Sequence, residues 1–153
     1  MTTTRHFIDL FEKDKNNGKL YLEQALKVND GDHDAWIELG DLFKEQRKAR
    51  SAIRCYAKAV ESEPIDPVTW TNMGNLAKKL KDYKNACEYF SRALDHNSLD
   101  TEALHGRRES YRHLGNLELA HKDDENFKEL QKALQGENKA GGERADEEVY
   151  EDD

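Results

Sequence analysis

The six histidines are the residues that could support a metal site or acid–base catalysis. His105 and His113 lie eight residues apart in one predicted helix. That spacing, about 12 Å along the axis, is too long for two ligands that share a zinc ion at about 2 Å. His121 could approach His113 across the turn at Gly115-Asn116, but no cysteine or carboxylate is placed to complete four ligands. We therefore predict no metal site and no cofactor.

Other patterns of enzyme chemistry are missing from the sequence. It contains no glycine-rich phosphate loop, no HExxH and no Ser-His-Asp ordering. Cys55 and Cys87, the only cysteines, lack the spacing of a metal or redox pair, and we expect both to be small buried apolar side chains. The chain is predicted not to be an enzyme and to have no small-molecule substrate.

Asn72 and Asn75 are the side chains best suited to bind another chain. An amide both donates and accepts hydrogen bonds, so it can hold the backbone of an extended peptide whatever its sequence. The alternative is that both are ordinary solvated residues of a helix surface. The asparagines alone do not decide between these two interpretations.

Charge is distributed unevenly along the 153 residues. The net charge is -8, but residues 135–153 hold eight acids against Lys139 and Arg144, so 24 acids face 22 bases in the rest. A nearly neutral body argues against a nucleic-acid partner, which would need a basic face. No apolar run is long enough for a signal peptide or a spanning helix, so we predict a cytoplasmic protein without a membrane partner.

A 34-residue period organises the chain. Trp36 recurs as Trp70, Leu39-Gly40 as Met73-Gly74, Ala52 as Ala86, Tyr56 as Phe90 and Ala59 as Ala93. Within each block the apolar residues follow three- and four-residue steps, which indicates two helices. The helices are predicted near 33–46, 49–61, 67–80, 83–95, 101–114 and 117–134. Asp32 and Asp66 are expected caps, and Pro67 suits a first helical position.

This pattern resembles the tetratricopeptide signature. Trp36-x2-Leu39-Gly40-x2-Phe43 followed by Ala52, Tyr56, Ala59 and Pro64 match it in full, and the next block departs at Ala77 and Ser98. A third block, with Arg107-Arg108 where Leu-Gly is expected, is degenerate. The resemblance implies an all-α, right-handed superhelical array of about four helix pairs, whose small residues let helices approach closely. The expected divisions are 1–32 (an atypical helix pair), 33–66, 67–100, 101–134 and 135–153 (a disordered acidic tail).

The resemblance also implies a function. The first helix of each pair in such arrays usually faces a concave groove, so we expect a scaffold or adaptor that holds an extended segment of a partner protein there. The alternative is a structural subunit that uses its convex or end surface. The expected partner-binding residues are Asp34, Ile37, Glu38, Asp41, Lys44, Thr71, Asn72, Asn75, Lys78, Lys79, His105, Glu109 and Arg112.

Some relatives grip the C-terminal carboxylate of heat-shock chaperones with lysines, asparagines and an arginine. In that register Asn72 matches, but Ile37 and Asp41 replace lysine and asparagine, and Glu102 and Gly106 replace lysine and arginine. We therefore predict that chaperone-tail binding is not the function.

The array is predicted to end at its eighth helix. Phe127 and Asp124 stand where the preceding block has Ala93 and Phe90, and a further repeat would meet a ring and a carboxylate. We accordingly expect Asp123, Asp124 and Glu125 to form the solvated face of a capping helix, because terminal repeats require a polar outer face.

Overall fold

The structure is a computed structural model that describes residues 3–151, with side chains for residues 3–14 and 16–136. Across this range the chain folds into eight α-helices without a strand, which confirms the all-α prediction. The helices are α1 (Thr4–Lys13), α2 (Gly18–Val28), α3 (His33–Glu45), α4 (Ala49–Ser62), α5 (Pro67–Lys79), α6 (Tyr83–His96), α7 (Thr101–His113) and α8 (Leu117–Glu151). A short 3-10 turn, Lys15–Asn17, precedes α2.

An aspartate begins the first helix of each of the last three pairs. Asp32, Asp66 and Asp100 accept a hydrogen bond from the backbone N–H three residues on, at 3.0, 3.2 and 3.0 Å. Each carboxylate therefore satisfies one of the free amides at a helix N-terminus. Pro67 is the first residue of α5, where its missing N–H costs no hydrogen bond.

Glycines allow the two helices of each of the two middle pairs to approach closely. A Cβ built on Gly40 would lie 2.6 Å from the Tyr56 ring, and one on Gly74 would lie 2.6 Å from the Phe90 ring. Both rings are fully buried. The rings fill the space that the glycines leave open, so the small residues of the period have the packing role that the sequence predicts.

The same arrangement extends to the N-terminal pair, which the sequence marks only weakly. Ile8 and Phe11 of α1 and Leu22 and Ala25 of α2 are buried in one cluster with residues of α3. A Cβ on Gly18 would lie 2.6 Å from the Phe11 ring, so a glycine again faces a ring, although here the glycine is on the second helix and the ring on the first. The predicted helix pair upstream of residue 33 is present.

Both cysteines are buried, as expected for apolar side chains. Burial is the main cause that raises the pKa of each thiol to about 11. Neither thiol is therefore ionised near neutral pH.

The predicted limits of the helices from residue 33 onward agree with the observed ones to within one residue except at the end of α8. The expected end of α8 near residue 134 is wrong, because the helix continues to Glu151. Residues 131–136 are all exposed, so this part of α8 is helical without packing on the body. The side chains of the acidic tail beyond residue 136 lie outside the described ones, and its disorder in solution stays a prediction.

Within the described residues, the structure contains no helix that is long and apolar enough to cross a membrane.

Candidate functional site

The first helices of three successive pairs, α3, α5 and α7, carry every residue expected to bind a partner. We call the side of these helices that bears those residues the groove face. It has three parts: an α3 section, the contact between α5 and α7, and a section at the C-terminal end of α7.

The polar side chains between α5 and α7 are largely bonded to one another. Asn75 Nδ2 donates to Glu102 Oε1 at 2.9 Å, and Lys78 Nζ donates to Glu109 Oε2 at 2.8 Å. Each pair joins neighbouring repeats. The two carboxylates therefore fix the positions of Asn75 and Lys78 along the groove face.

Thr71 departs from its expected role. It is only 4% exposed, because its hydroxyl donates to the Pro67 carbonyl at 3.0 Å and lies 2.8 Å from Asp100 Oδ2. Asp100 is the cap of α7, so Thr71 ties α5 to the start of the next repeat. The prediction that Thr71 binds a partner is corrected by this burial.

Polar and charged residues at the C-terminal end of the groove face contact one another. His105 Nε2 lies 3.1 Å from Glu109 Oε1, and an Arg108 Nη atom lies 2.6 Å from His105 Nδ1. The hydrogen bond from Lys78 is the main cause that holds the pKa of Glu109 below its usual range, with further help from His105. Glu109 therefore contacts both Lys78 and His105 and has little capacity left for a ligand.

In the α3 section, some of the expected residues already contact other side chains of the fold. Asp41 accepts a hydrogen bond from the hydroxyl of Tyr56, and its carboxylate lies 4.0 Å from Lys44 Nζ. Burial, followed by the contact with Asp41, raises the pKa of Tyr56. Ile37 packs against the core between α4 and α5, whereas Asp34 is exposed and Glu38 is half-buried.

Four of the expected residues remain available, of which the exposed Asp34 is one. Asn72 is half-buried, and none of the described side chains or backbone groups forms a hydrogen bond with its amide. Lys79 and Arg112 are exposed, and no described carboxylate lies within ion-pair distance of either. Asn72 is thus an amide without a described hydrogen bond, beside side chains that are already paired.

The degenerate third repeat contains an ion pair that sequence reasoning missed. Arg107 binds Asp123 of α8 and also donates to Ser91 of α6 at 3.1 Å. Arg108 donates to Asp124 at 2.7 Å. The signal was present in the sequence, since two arginines replace Leu-Gly in one helix and two aspartates occur in the next.

These contacts correct the predicted solvated face of the last helix. Asp123 is 2% exposed, and Asp124 is half-buried between Arg108 and Lys128. Only Glu125 is exposed as expected. The carboxylates of Asp123 and Asp124 can be buried because arginines of the preceding helix neutralise them.

The histidines take structural positions. The ring of His113 stacks on Tyr83 with centroids 4.2 Å apart, and His121 lies 3.2 Å from Glu125. In the part of the chain that the structure describes, no three histidine, cysteine or acidic side chains come together as a metal site would require.

Comparison with known families identifies two repeats. Residues 33–66 and residues 67–100 each match a tetratricopeptide repeat. These are the two blocks that the 34-residue period marks most clearly. None of the curated proteins compared with the chain matches it.

Solved structures share the fold over most of the chain. A crystal structure of MamA is 12% identical, covers 87% of this chain and 89% of its own, and has a TM-score of 0.73. MamA AMB-1 is 20% identical, and the match covers 84% of this chain and 76% of MamA AMB-1 with a TM-score of 0.68. The first tetratricopeptide domain of Spaghetti (RPAP3), bound to the HSP90 peptide SRMEEVD, is 29% identical, with coverage of 74% and 93% and a TM-score of 0.60. The repeats, the helix pairs and these likenesses together identify the chain as a member of the tetratricopeptide-repeat family.

Proposed function

We propose that this protein is a non-enzymatic scaffold or adaptor that binds an extended segment of a partner protein along its groove face. The observation that carries the proposal is the unused amide of Asn72. It is half-buried and centrally placed on α5. An amide in that position can donate to one backbone carbonyl and accept from one backbone N–H of a bound segment.

The neighbouring contacts support this function. Glu102 holds Asn75, and Glu109 holds Lys78. Side chains that are fixed before binding lose less conformational entropy when a ligand arrives. Lys79 and Arg112, exposed at the ends of α5 and α7, are available for acidic groups of the partner.

The experiment uses the full-length chain as bait in an extract of its native cell, with mass spectrometry of the captured proteins. Asn72→Ala together with Asn75→Ala should lose the partner while the chain stays folded, because the only described hydrogen bond lost is the one from Asn75 to Glu102, which should contribute about 0.5 to 1.5 kcal/mol to the free energy of unfolding. Asn85→Ala, an exposed asparagine of α6, is the matched control and should keep the partner. If the double variant captures the partner as well as the wild-type chain does, the groove face is not the binding site.

A structural subunit that uses its convex surface is the second candidate. A cleft of about 320 Å³ between α3 and α4 is lined by Trp36, Arg54, Cys55, Ala57, Lys58 and Glu61. Lys58→Glu would disrupt a contact there and leave the groove face intact. Loss of the partner in this variant, with retention in the asparagine variant, would favour the second function.

We further propose that the partner segment differs from the peptide bound to RPAP3. A peptide ending in Glu-Glu-Val-Asp would meet Glu102 and Asp41 where a carboxylate clamp has a lysine and an asparagine. Like charges without a counterion weaken such a contact. Titration with SRMEEVD should give no saturable binding at micromolar concentrations, and tight saturable binding would overturn this part of the proposal.

A further inference from the structure

Two clefts meet at the edge of the array where α3 turns into α4 and α5 turns into α6. One, of about 450 Å³, lies between α3, α4 and α5, and the other, of about 310 Å³, lies between α4, α5 and α6. Leu80 is 37% exposed and lines both. We call this region the turn-edge surface, and its cationic residues are Lys44, Arg47, Arg50, Arg54 and Lys79.

The positive charge of the turn-edge surface is not balanced within the described residues. Arg47, Arg50, Arg54 and Lys79 are exposed, and no described carboxylate lies within ion-pair distance of them. Asp82 is the one acid that lines either cleft, and its oxygens accept hydrogen bonds from Asn85, including one from Nδ2 at 2.7 Å. An acidic ligand would therefore find cations that lose no existing partner.

Backbone geometry adds a second observation. Arg47 has a φ of 60°, and Lys81 at the equivalent place of the next repeat also has a φ of 60°. Gly115, in the third repeat, has a φ of 77° at this place. Left-handed backbone favours glycine over residues with a side chain. Arg47 and Lys81 are nevertheless cationic at a position where the backbone conformation alone would favour glycine.

The chain itself contains a segment with the complementary chemistry. In residues 146–153, six acids flank Val149 and Tyr150. The larger cleft is also lined by the apolar residues Leu80, Leu76 and Ala49. Val149 and Tyr150 could therefore pack on these residues while the acids contact the surrounding cations. We propose that the turn-edge surface binds the acidic C-terminal segment of a second copy of this chain.

The course of α8 explains why the segment comes from a second copy. Arg107 of α7 donates hydrogen bonds to both Ser91 of α6 and Asp123 of α8. The turn before α8 repeats the turn before α6, with Gly115 at the place of Lys81, so α8 begins at the turn edge. From Leu117 to Gly136, α8 runs about 30 Å away from the turn edge. The part of α8 up to Gly136 thus points away from the chain's own turn-edge surface, which favours capture of the segment by a neighbouring copy. Such head-to-tail contacts can continue from copy to copy.

Zero-length carbodiimide coupling of an equal mixture of unlabelled and nitrogen-15-labelled full-length chains tests the proposal. The segment's carboxylates should couple to Lys44 or Lys79, and about half of these links should join a labelled to an unlabelled chain, since random mixing within pairs gives that share. Coupling should fall steeply between about 0.01 and 1 M salt, over which the Debye length shortens from roughly 30 to 3 Å.

Charge reversal gives an independent measurement. Arg47→Glu with Lys79→Glu should weaken self-association about tenfold in sedimentation velocity, the effect expected from the loss of two or more exposed ion pairs. Lys19→Glu with Lys27→Glu makes the same change in net charge at two exposed lysines of α2 and should leave association unchanged.

Three results would overturn the proposal. Links confined to one isotope would show that the segment binds its own body. Coupling spread over all exposed lysines in proportion to exposure, or equal effects of the two double variants, would show a nonspecific attraction. Displacement of the segment by a stoichiometric single-stranded oligonucleotide, but not by an acidic peptide of equal charge, would assign the surface to nucleic acid.

Discussion

Arg107 holds Asp123 through two hydrogen bonds, from Nε to Oδ2 at 2.8 Å and from Nη2 to Oδ1 at 2.7 Å. The carboxylate side chain is 3% exposed, while the arginine also lies over the Tyr111 ring at 5.8 Å. The paired geometry satisfies both oxygens of the acid. This pair attaches the last helix of the array to α7.

Loss of the acid should therefore destabilise the C-terminal repeat. Asp123→Ala leaves a half-buried guanidinium without its counterion, and removal of one partner of a buried pair typically costs about 3 to 5 kcal/mol. Urea unfolding followed by circular dichroism measures the change. The exposed Glu125→Ala is the control and should change stability by less than about 0.5 kcal/mol. Equal stabilities of the two variants would contradict a structural role for the pair.

The ring of Phe90 is enclosed by two glycines from different helices. A Cβ on Gly106 would lie 2.4 Å from Phe90 Cζ, and one on Gly74 would lie 2.6 Å from other ring atoms. Each glycine-to-alanine change should lower the free energy of unfolding by about 1 to 3 kcal/mol. Gly136→Ala, where nothing lies within 4 Å of the added carbon, should cause no loss. Thermal unfolding of the three variants should show lower melting temperatures for Gly74→Ala and Gly106→Ala than for Gly136→Ala.

At a left-handed turn residue, a change to glycine should raise the stability of the protein. Lys81→Gly should raise stability by about 0.5 kcal/mol, because relief of the left-handed strain exceeds the entropy that glycine adds to the unfolded chain. Lys81→Ala keeps the strain and controls for loss of the side chain. If the alanine variant gains as much as the glycine variant, charge repulsion and not backbone strain is the cause.

Removal of the tail should leave the body intact. Residues 131–136 are exposed, so a chain cut after Gly136 should have an unchanged melting temperature at low micromolar concentration. Hydrogen exchange of the full chain should find protection through about residue 130 and fast exchange beyond about residue 137. A melting temperature lower by several degrees after the cut would mean that the tail docks on its own body.

The 34-residue period predicted the helices because their determinants are local. An aspartate cap, a glycine opposite a ring and apolar steps of three and four residues are all visible within one repeat. Asp32 and Gly40 show this directly, since each has its predicted structural role.

The errors concern contacts between different helices. Thr71 and Asp123 look like surface residues within their own helices, but Asp100 and Arg107 of α7 reach them in the folded array. The sequence pattern fixes which face of a helix is apolar, and it does not determine whether a polar residue at the margin faces a partner on the next helix. The pairing of Asn75 with Glu102 on the groove face has the same origin.

Resonance mapping of the nitrogen-15-labelled chain with its captured partner segment tests the central claim most directly. The account predicts that the side-chain amide of Asn72 shifts, together with backbone amides along the groove faces of α3, α5 and α7. Amides of α4 and α6 that face away from the groove should remain in place. Shifts confined to α4 and α6, with the Asn72 amide unchanged, would contradict groove binding and assign the partner to the convex surface.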